Sequence, residues 1–460
     1  VHPQHTPHPQ NPQYPQYYPH PPQWPVQVPP PQPKRRWGRW VALGAAVLVL
    51  CCAGSVAAIV VVPSLGKKDL FTSAKAQPTK SPSIAPAKSP SAGDPQSVFQ
   101  AWAHEKVREA LAKQRTALLA GNESGFLAVI DPKIPGTEKN ALLRTFRSLR
   151  AMKVADWRDS PGTAVDKSNG LWAFEIFSTA CFVSAECEDG PASADTIWRV
   201  EGATATLTSW KASDEAHPWQ YSELVASSGG RTVVATTKNY ESRLPQLVAE
   251  AEKAAIVADR FAPAGKTPSR YVIYFAGQTE WKNWFGWDPP EWSGGVAIDV
   301  SDDRYELVLN GQLHRSAVDD LLRHELTHAS SLVGKIGGSN ALWWLIEGIA
   351  EYAEMQGAPA STHPGISEVK KLVDSGDVTK IDISGPGRKT AEDVVAGQYG
   401  IAFLATRCLA ERFTEEKMVE FFHTVVHDQK TLVTASTQVF QSDWGSVSAD
   451  CFNYVKQAAG

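Results

Sequence analysis

The segment Trp343-Trp344-Leu345-Ile346-Glu347-Gly348-Ile349-Ala350-Glu351-Tyr352-Ala353-Glu354 constrains this chain more than any other. At helical spacing it is apolar on nearly every side, and a helix of that kind is buried. Yet Glu347, Glu351 and Glu354 recur at i, i+4 and i+7, which stacks them in one stripe. Buried carboxylates without partners cost several kcal/mol each. A fold that buries this helix must therefore bring histidines, cations or a metal ion to the stripe. The other reading is a half-exposed helix whose acidic stripe faces water.

A suitable partner set lies upstream, in Leu321-Leu322-Arg323-His324-Glu325-Leu326-Thr327-His328. Two histidines four apart on a helix lie on one face, so both imidazoles reach a single ion. Glu325, beside the first of them, can sit next to a water held by the same ion. Between His328 and Glu347 the chain is long enough to turn and return as an adjacent helix. A second pair, His423 and His427, has the same spacing. No Glu follows its first member and no third donor is evident, so it is read as packing or surface histidines.

Taken together, the His-Glu-x-x-His helix and the later Trp-Leu-x-Glu-Gly-x-Ala-Glu-Tyr segment resemble the gluzincin metallopeptidases. The nearest likeness is to the minimal peptidase-MA-like domain related to aminopeptidase catalytic domains. The specific match runs from His324 to Glu354, and a looser one covers about 217–460. The resemblance implies one Zn2+ ion held by His324, His328 and Glu347, with Glu325 as general base for a water activated by that ion. It implies that Glu351 supports a ligand histidine through its second ring nitrogen. It also implies a tyrosine from a later helix that stabilises the tetrahedral intermediate. Tyr399, in Gln398-Tyr399-Gly400-Ile401-Ala402-Phe403, is the candidate, and a core or capping tyrosine is its other reading. Tyr352 lies on a different helical face from Glu347.

One departure from the family is informative. Its aminopeptidases carry a Gly-x-Met-Glu-Asn strand whose Glu holds the substrate's free amine. The comparable strand here reads Gly294-Gly295-Val296-Ala297-Ile298 and has no Glu at that point. An endopeptidase acting on peptides or proteins is therefore expected over an aminopeptidase. The strand can still pair with an extended substrate backbone. The rival expectation is an inactive peptidase fold that retains zinc and serves as a binding or scaffold protein of the cell envelope.

The rest of the chain places this domain. Residues 1–33 hold 13 of the 32 prolines, with many glutamines and no aliphatic periodicity. They form a disordered, polyproline-prone part of a 1–40 tail, with a proline-recognising partner or a plain solvated spacer as its two roles. Lys34, Arg35, Arg36 and Arg39 precede Val41–Val62, a run without a charge. As a helix it would be roughly 33 Å long, enough to cross a bilayer. The excess of basic residues before the run puts the N-terminus in the cytoplasm and the rest outside the cell. The long apolar run ending at Pro63 suits an uncleaved anchor better than a signal peptide. Leu50 before Cys51 suits a lipoprotein site poorly. Residues 63–95 are a Pro/Ser/Lys linker.

From 96 to 215 helices come first and strands after, an α+β order. Helices are predicted from about Gln96 to Leu119, with Asp94 as N-cap, near Ser124–Ile130 and near Thr137–Leu149. Strands are predicted at Lys153–Arg158, Leu171–Thr179, Asp195–Glu201 and Ala203–Trp210. The order of elements loosely resembles the cone-shaped nuclear-transport-factor-2-like domains, here with a spacer or interaction role. From 216 to 460 strands are expected at Arg231–Thr237, Tyr271–Ala276, Gly294–Val300 and Tyr305–Asn310, a helix at Ser242–Phe261, and helices from Ser316 onward. The fold class is thus α+β: a small cone-like domain, then a peptidase domain with a small sheet and a mostly helical C-terminal part, behind one transmembrane helix.

Cys181, Cys187, Cys408 and Cys451 follow the apolar run. Local spacing favours the pairs Cys181–Cys187 and Cys408–Cys451 in an oxidising compartment, with free buried thiols as the alternative. A formal net charge of -4 gives no pull towards nucleic acid. No basic stripe, phosphate-cradling glycine loop or Ser-His-Asp order stands out.

Overall fold

The computed structural model describes residues 89–460 apart from 186, 188–191, 214–216, 286–293, 302–303, 312–316, 335–339 and 388. The expected tail, the 41–62 span and nearly all of the linker lie outside the described residues. Among the described residues no helix is long and apolar enough to cross a membrane.

The chain opens with α1 (Gln96–Leu119) and, after a short helix at Glu123–Leu127, α2 (Gly136–Ala151). Asp94 does not cap α1. Pro95 occupies the cap position, and the Asp94 carboxylate accepts from the Ser91 N–H at 2.8 Å. The helix ends at Gly121, whose φ of 70° is the left-handed conformation that glycine adopts without strain. Next come β1 (Val154–Pro161), β2 (Val165–Asp166), β3 (Leu171–Phe182), β4 (Ala192–Glu201) and β5 (Thr204–Ala212). They form an antiparallel sheet in the order β1-β3-β4-β5, with β2 paired to β3. Apolar residues of α1 and α2, among them Val107, Leu111 and Phe146, pack with Trp157, Phe174 and Trp198 of the sheet. A disulfide joins Cys181 to Cys187 just beyond β3.

A second sheet has the order β6 (Val225–Ser228), β7 (Thr232–Thr236), β8 (Tyr271–Ala276), β10 (Arg304–Asn310) and β9 (Gly295–Ser301). The pairs β7–β8 and β8–β10 are parallel, and β9 is an antiparallel edge strand. Every residue of β8 is buried, as expected of a strand covered on both faces. One face packs on α3 (Leu244–Ala258) and on α4 (Val318–Ser331), through Leu247, Ala251, Leu322 and Leu326. The other face, with Val233, Val272, Tyr274 and Val308, joins the same apolar cluster as the first sheet. That cluster runs across the 215/216 boundary drawn from the sequence.

A buried ionic link crosses the same boundary. The Glu306 carboxylate accepts from Arg304 Nη2 at 2.9 Å and lies 3.2 Å from His217 Nδ1. Arg304 also donates to the Ala180 carbonyl of β3 at 3.4 Å. Burial pushes the Glu306 carboxyl up, but the charges of His217 and Arg304 outweigh it and hold the pKa at about 2. Between that value and the ordinary 4.5, the unfolded chain binds a proton that the folded chain refuses. Stability present above this window is therefore lost as pH falls through it, on the order of 3 kcal/mol in total. Glu306→Gln should be less stable at pH 7, because it leaves Arg304 without its charge partner. It should also lose less stability than wild type between pH 5 and 2 in urea melts. Parallel losses in the two proteins would refute the assignment.

The remainder is helical: α5 (Trp343–Met355), α6 (Ile366–Asp374), α7 (Glu392–Phe413), α8 (Glu415–Val426) and α9 (Trp444–Ala459). They share one core, in which Trp344, Ile349, Phe403, Leu409, Phe421 and Val455 are all buried. A disulfide joins Cys408 of α7 to Cys451 of α9. Gly348 is where α5 and α7 cross: a Cβ there would collide with the Ala402 carbonyl and the Thr406 hydroxyl.

Candidate metal centre

Along α4, Leu322, Leu326 and Ala329 pack against the sheet. The helical period then turns His324 and His328 to the opposite side, where α4 packs on α5. The acidic stripe of α5 meets them there. His324 Nε2 and His328 Nε2 are 3.2 Å apart. Glu347 Oε2 lies 3.2 Å from His328 Nε2 and 3.3 Å from His324 Nε2. All three side chains are buried.

This near-equilateral triangle of donor atoms fits a metal ion. At a ligand distance of about 2.05 Å, neighbouring ligands of a tetrahedral zinc are about 3.3 Å apart. Two imidazole nitrogens and one carboxylate oxygen are also the donor types zinc takes in sites that keep a further position open. Burial alone would raise the Glu347 carboxyl. The adjacent His328 and His324 outweigh it and hold the pKa at about 2, so the oxygen is ionised throughout the physiological range.

The far side of His324 is held as well. Its Nδ1 lies 3.1 Å from Glu354 Oε2 and 3.3 Å from Glu351 Oε1. Carboxylates only accept, so Nδ1 is the donor to this pair, and Nε2 is the nitrogen left to face a metal ion in the triangle. The supporting role expected of Glu351 alone is shared by Glu354, at the shorter distance. The other oxygen of Glu351 lies 2.8 Å from Nε2 of His363, a buried histidine that the sequence reading did not single out. His328 differs from His324: its Nδ1 is buried and has no hydrogen-bond partner among the described residues.

Glu325 is buried, and desolvation raises its carboxyl pKa, opposed by His324 and His328. Its carboxylate lies against β9, since a Cβ added at Gly295 would fall 2.9 Å from Glu325 Oε1. Tyr399, near the start of α7, has its ring 6.3 Å from that of His324 and edge-on to Trp343 at 5.0 Å. The Tyr352 hydroxyl donates to Glu415 Oε2 at 3.1 Å. His427 donates from Nε2 to the Ser331 carbonyl at 2.7 Å, which braces the end of α8 against the end of α4. Burial and the nearby His427 push His423 down to about 4. Among the described residues, both groups of donors able to hold a metal contain His324.

No protein-family model matches the sequence, and no match was found among curated proteins. Among solved structures, the chain is similar to an M1 zinc metallopeptidase from Deinococcus radiodurans, at 14% identity and a TM-score of 0.32, over 66% of this chain and 61% of that one. It is similar to yeast LTA4 hydrolase in complex with bestatin, at 16% identity and a TM-score of 0.32, over 62% of this chain and 53% of that one. The chain thus spans less than two thirds of either neighbour. Likeness at this level decides neither fold nor activity, and the metal-centre reading rests on the donor geometry.

Proposed function

We propose that residues 216–460 form a zinc metallopeptidase with one catalytic ion, carried outside the cell on the 41–62 span and held off the membrane by residues 63–215. Its substrates are peptides or proteins at the cell surface. The observation that carries the reading is the triangle of His324 Nε2, His328 Nε2 and Glu347 Oε2, with Glu325 one residue from the first ligand.

A bound zinc ion supplies Lewis acidity, polarising a substrate carbonyl and acidifying a water. The chain's own groups do the rest. His324 and His328 present Nε2 lone pairs, and Glu347 an ionised oxygen. Glu354 and Glu351 fix the plane of His324 from behind. Glu325 takes a proton from water and returns it to the leaving amine. The Tyr399 hydroxyl donates a hydrogen bond to the developing oxyanion. The first four residues of β9, Gly295 to Ile298, carry no carboxylate to hold a free amine, so internal peptide bonds are the favoured targets.

The test is incubation of the purified full chain with paired fluorogenic peptides, N-acetylated and free. Acetylated peptides should be cleaved at least as fast, and cleavage should stop with chelator and return with Zn2+. Full zinc occupancy without cleavage of any peptide would leave the zinc-retaining binding fold as the better reading.

Gly295 offers a sharper probe. Its Cβ position lies 2.9 to 3.1 Å from three atoms of the Glu325 side chain, so any larger residue displaces the base. Misplacement of a reacting group by about 1 Å costs up to about 100-fold. Gly295→Ala is expected to lower kcat about 10-fold or more with zinc content unchanged, measured on the same peptides. An unchanged kcat would mean that Glu325 does not work from this position.

A further inference from the structure

We infer that His363 is a positioning residue of the metal centre: from the turn after α5 it sets the Glu351 carboxylate, and through it the plane of the ligand His324. The inference rests on the metal-centre reading above.

The hydrogen-bond donors fix the state of His363. The Gly365 backbone N–H can only donate, and it points at His363 Nδ1 at 3.0 Å. That nitrogen is therefore the acceptor and carries no proton. The ring proton sits on Nε2, 2.8 Å from Glu351 Oε2. A neutral imidazole in one tautomer thus donates to the carboxylate without adding a charge. The ring cannot easily turn. It is 4% exposed and stacks on Phe403 of α7, with centroids 5.0 Å apart and planes 13° from parallel.

Glu351 then acts as a bridge. One oxygen is taken by His363 and the other lies 3.3 Å from His324 Nδ1. Without the His363 donor, the three side-chain torsions of Glu351 would be held only by that longer contact, which it shares with Glu354 at 3.1 Å. Groups that orient a metal-bound histidine are typically worth 10- to 100-fold in metal affinity. Nothing comparable supports His328, whose Nδ1 has no partner among the described residues. Among the described residues, hydrogen bonding to the outer ring nitrogens of the pair is therefore confined to His324.

The experiment measures Zn2+ affinity of the full chain by competition with a chromophoric chelator, alone and in a Glu351→Ala background. The variants are His363→Gln, whose amide nitrogen can replace Nε2, His363→Asn, whose amide cannot reach Glu351, and His363→Phe, which keeps the stack on Phe403. Asn and Phe should weaken zinc binding about 10- to 100-fold. Gln should stay within about threefold of wild type. In the Glu351→Ala background, His363→Asn should change the affinity by less than about twofold. The Gln and Asn variants differ by one methylene, so their comparison stands even if the Phe variant does not fold. Wild-type affinity in Asn, or a loss in Gln equal to that in Asn, would overturn the inference. So would a loss in Asn that persists undiminished without Glu351. A wild-type chain that takes up no zinc would defeat the metal-centre reading and this inference with it, a result distinct from the other three.

Discussion

Purified Glu347→Ala is expected to carry almost no zinc where the wild-type full chain carries close to one ion. Oxygen Oε2 of Glu347 is a corner of the donor triangle, 3.2 Å from one imidazole nitrogen and 3.3 Å from the other. Removing it leaves two neutral donors and takes away the one ligand charge. The neighbouring carboxylates cannot replace it, because Glu351 and Glu354 face Nδ1 of His324, on the other edge of the ring. The loss in affinity should be on the order of 1,000-fold or more. Elemental analysis of the two proteins checks it. A thermal shift gives a second readout, since an ion that binds only the folded state stabilises by mass action. A chelator should lower the melting temperature of wild type and leave that of Glu347→Ala unchanged. Equal zinc content in the two proteins would remove Glu347 from the ligand set.

Glu325→Gln should behave in the opposite way. The amide has the same size and fits the same buried position, so zinc content should match wild type. Hydrolysis should fall by about 100- to 10,000-fold, the range over which a positioned general base contributes. The split between metal content and turnover is what separates a base from a ligand. A Glu325→Gln protein that cleaves every peptide the wild type cleaves would show that the proton goes elsewhere. Loss of zinc with the substitution would instead make Glu325 part of the metal-binding set.

The parts of this site that could be read from the sequence are those set by one helix at a time. His324 and His328 share a face because they are four residues apart on α4. Glu347, Glu351 and Glu354 share one because of their spacing on α5, and an apolar helix with a carboxylate stripe has few uses other than meeting cations or a metal. Most strands were legible for the same reason, since alternation and turn residues are local. The short pieces were not: β2, β6 and the helix at Gln278–Phe285 are too brief to establish a period. Glu306 shows a further limit. Alternation marks two faces of β10, but nothing local says that both are covered, so a carboxylate there reads as solvent-facing until the first sheet packs over it.

By itself the sequence determined which side chains could act together: two histidines and a carboxylate stripe, each aligned by the helical repeat. Only the tertiary structure decided how they meet. Helix α5 returns against α4 at a distance set by packing on the sheet and on α7, which closes the three donor atoms to within 3.3 Å of one another. The same packing brings Gly295 of the edge strand against Glu325, and brings His363, held by the Gly365 amide and the Phe403 ring, behind Glu351. These contacts join segments far apart in the chain or follow no repeat. No spacing in the sequence encodes them, because they arise only when separate apolar faces are buried together.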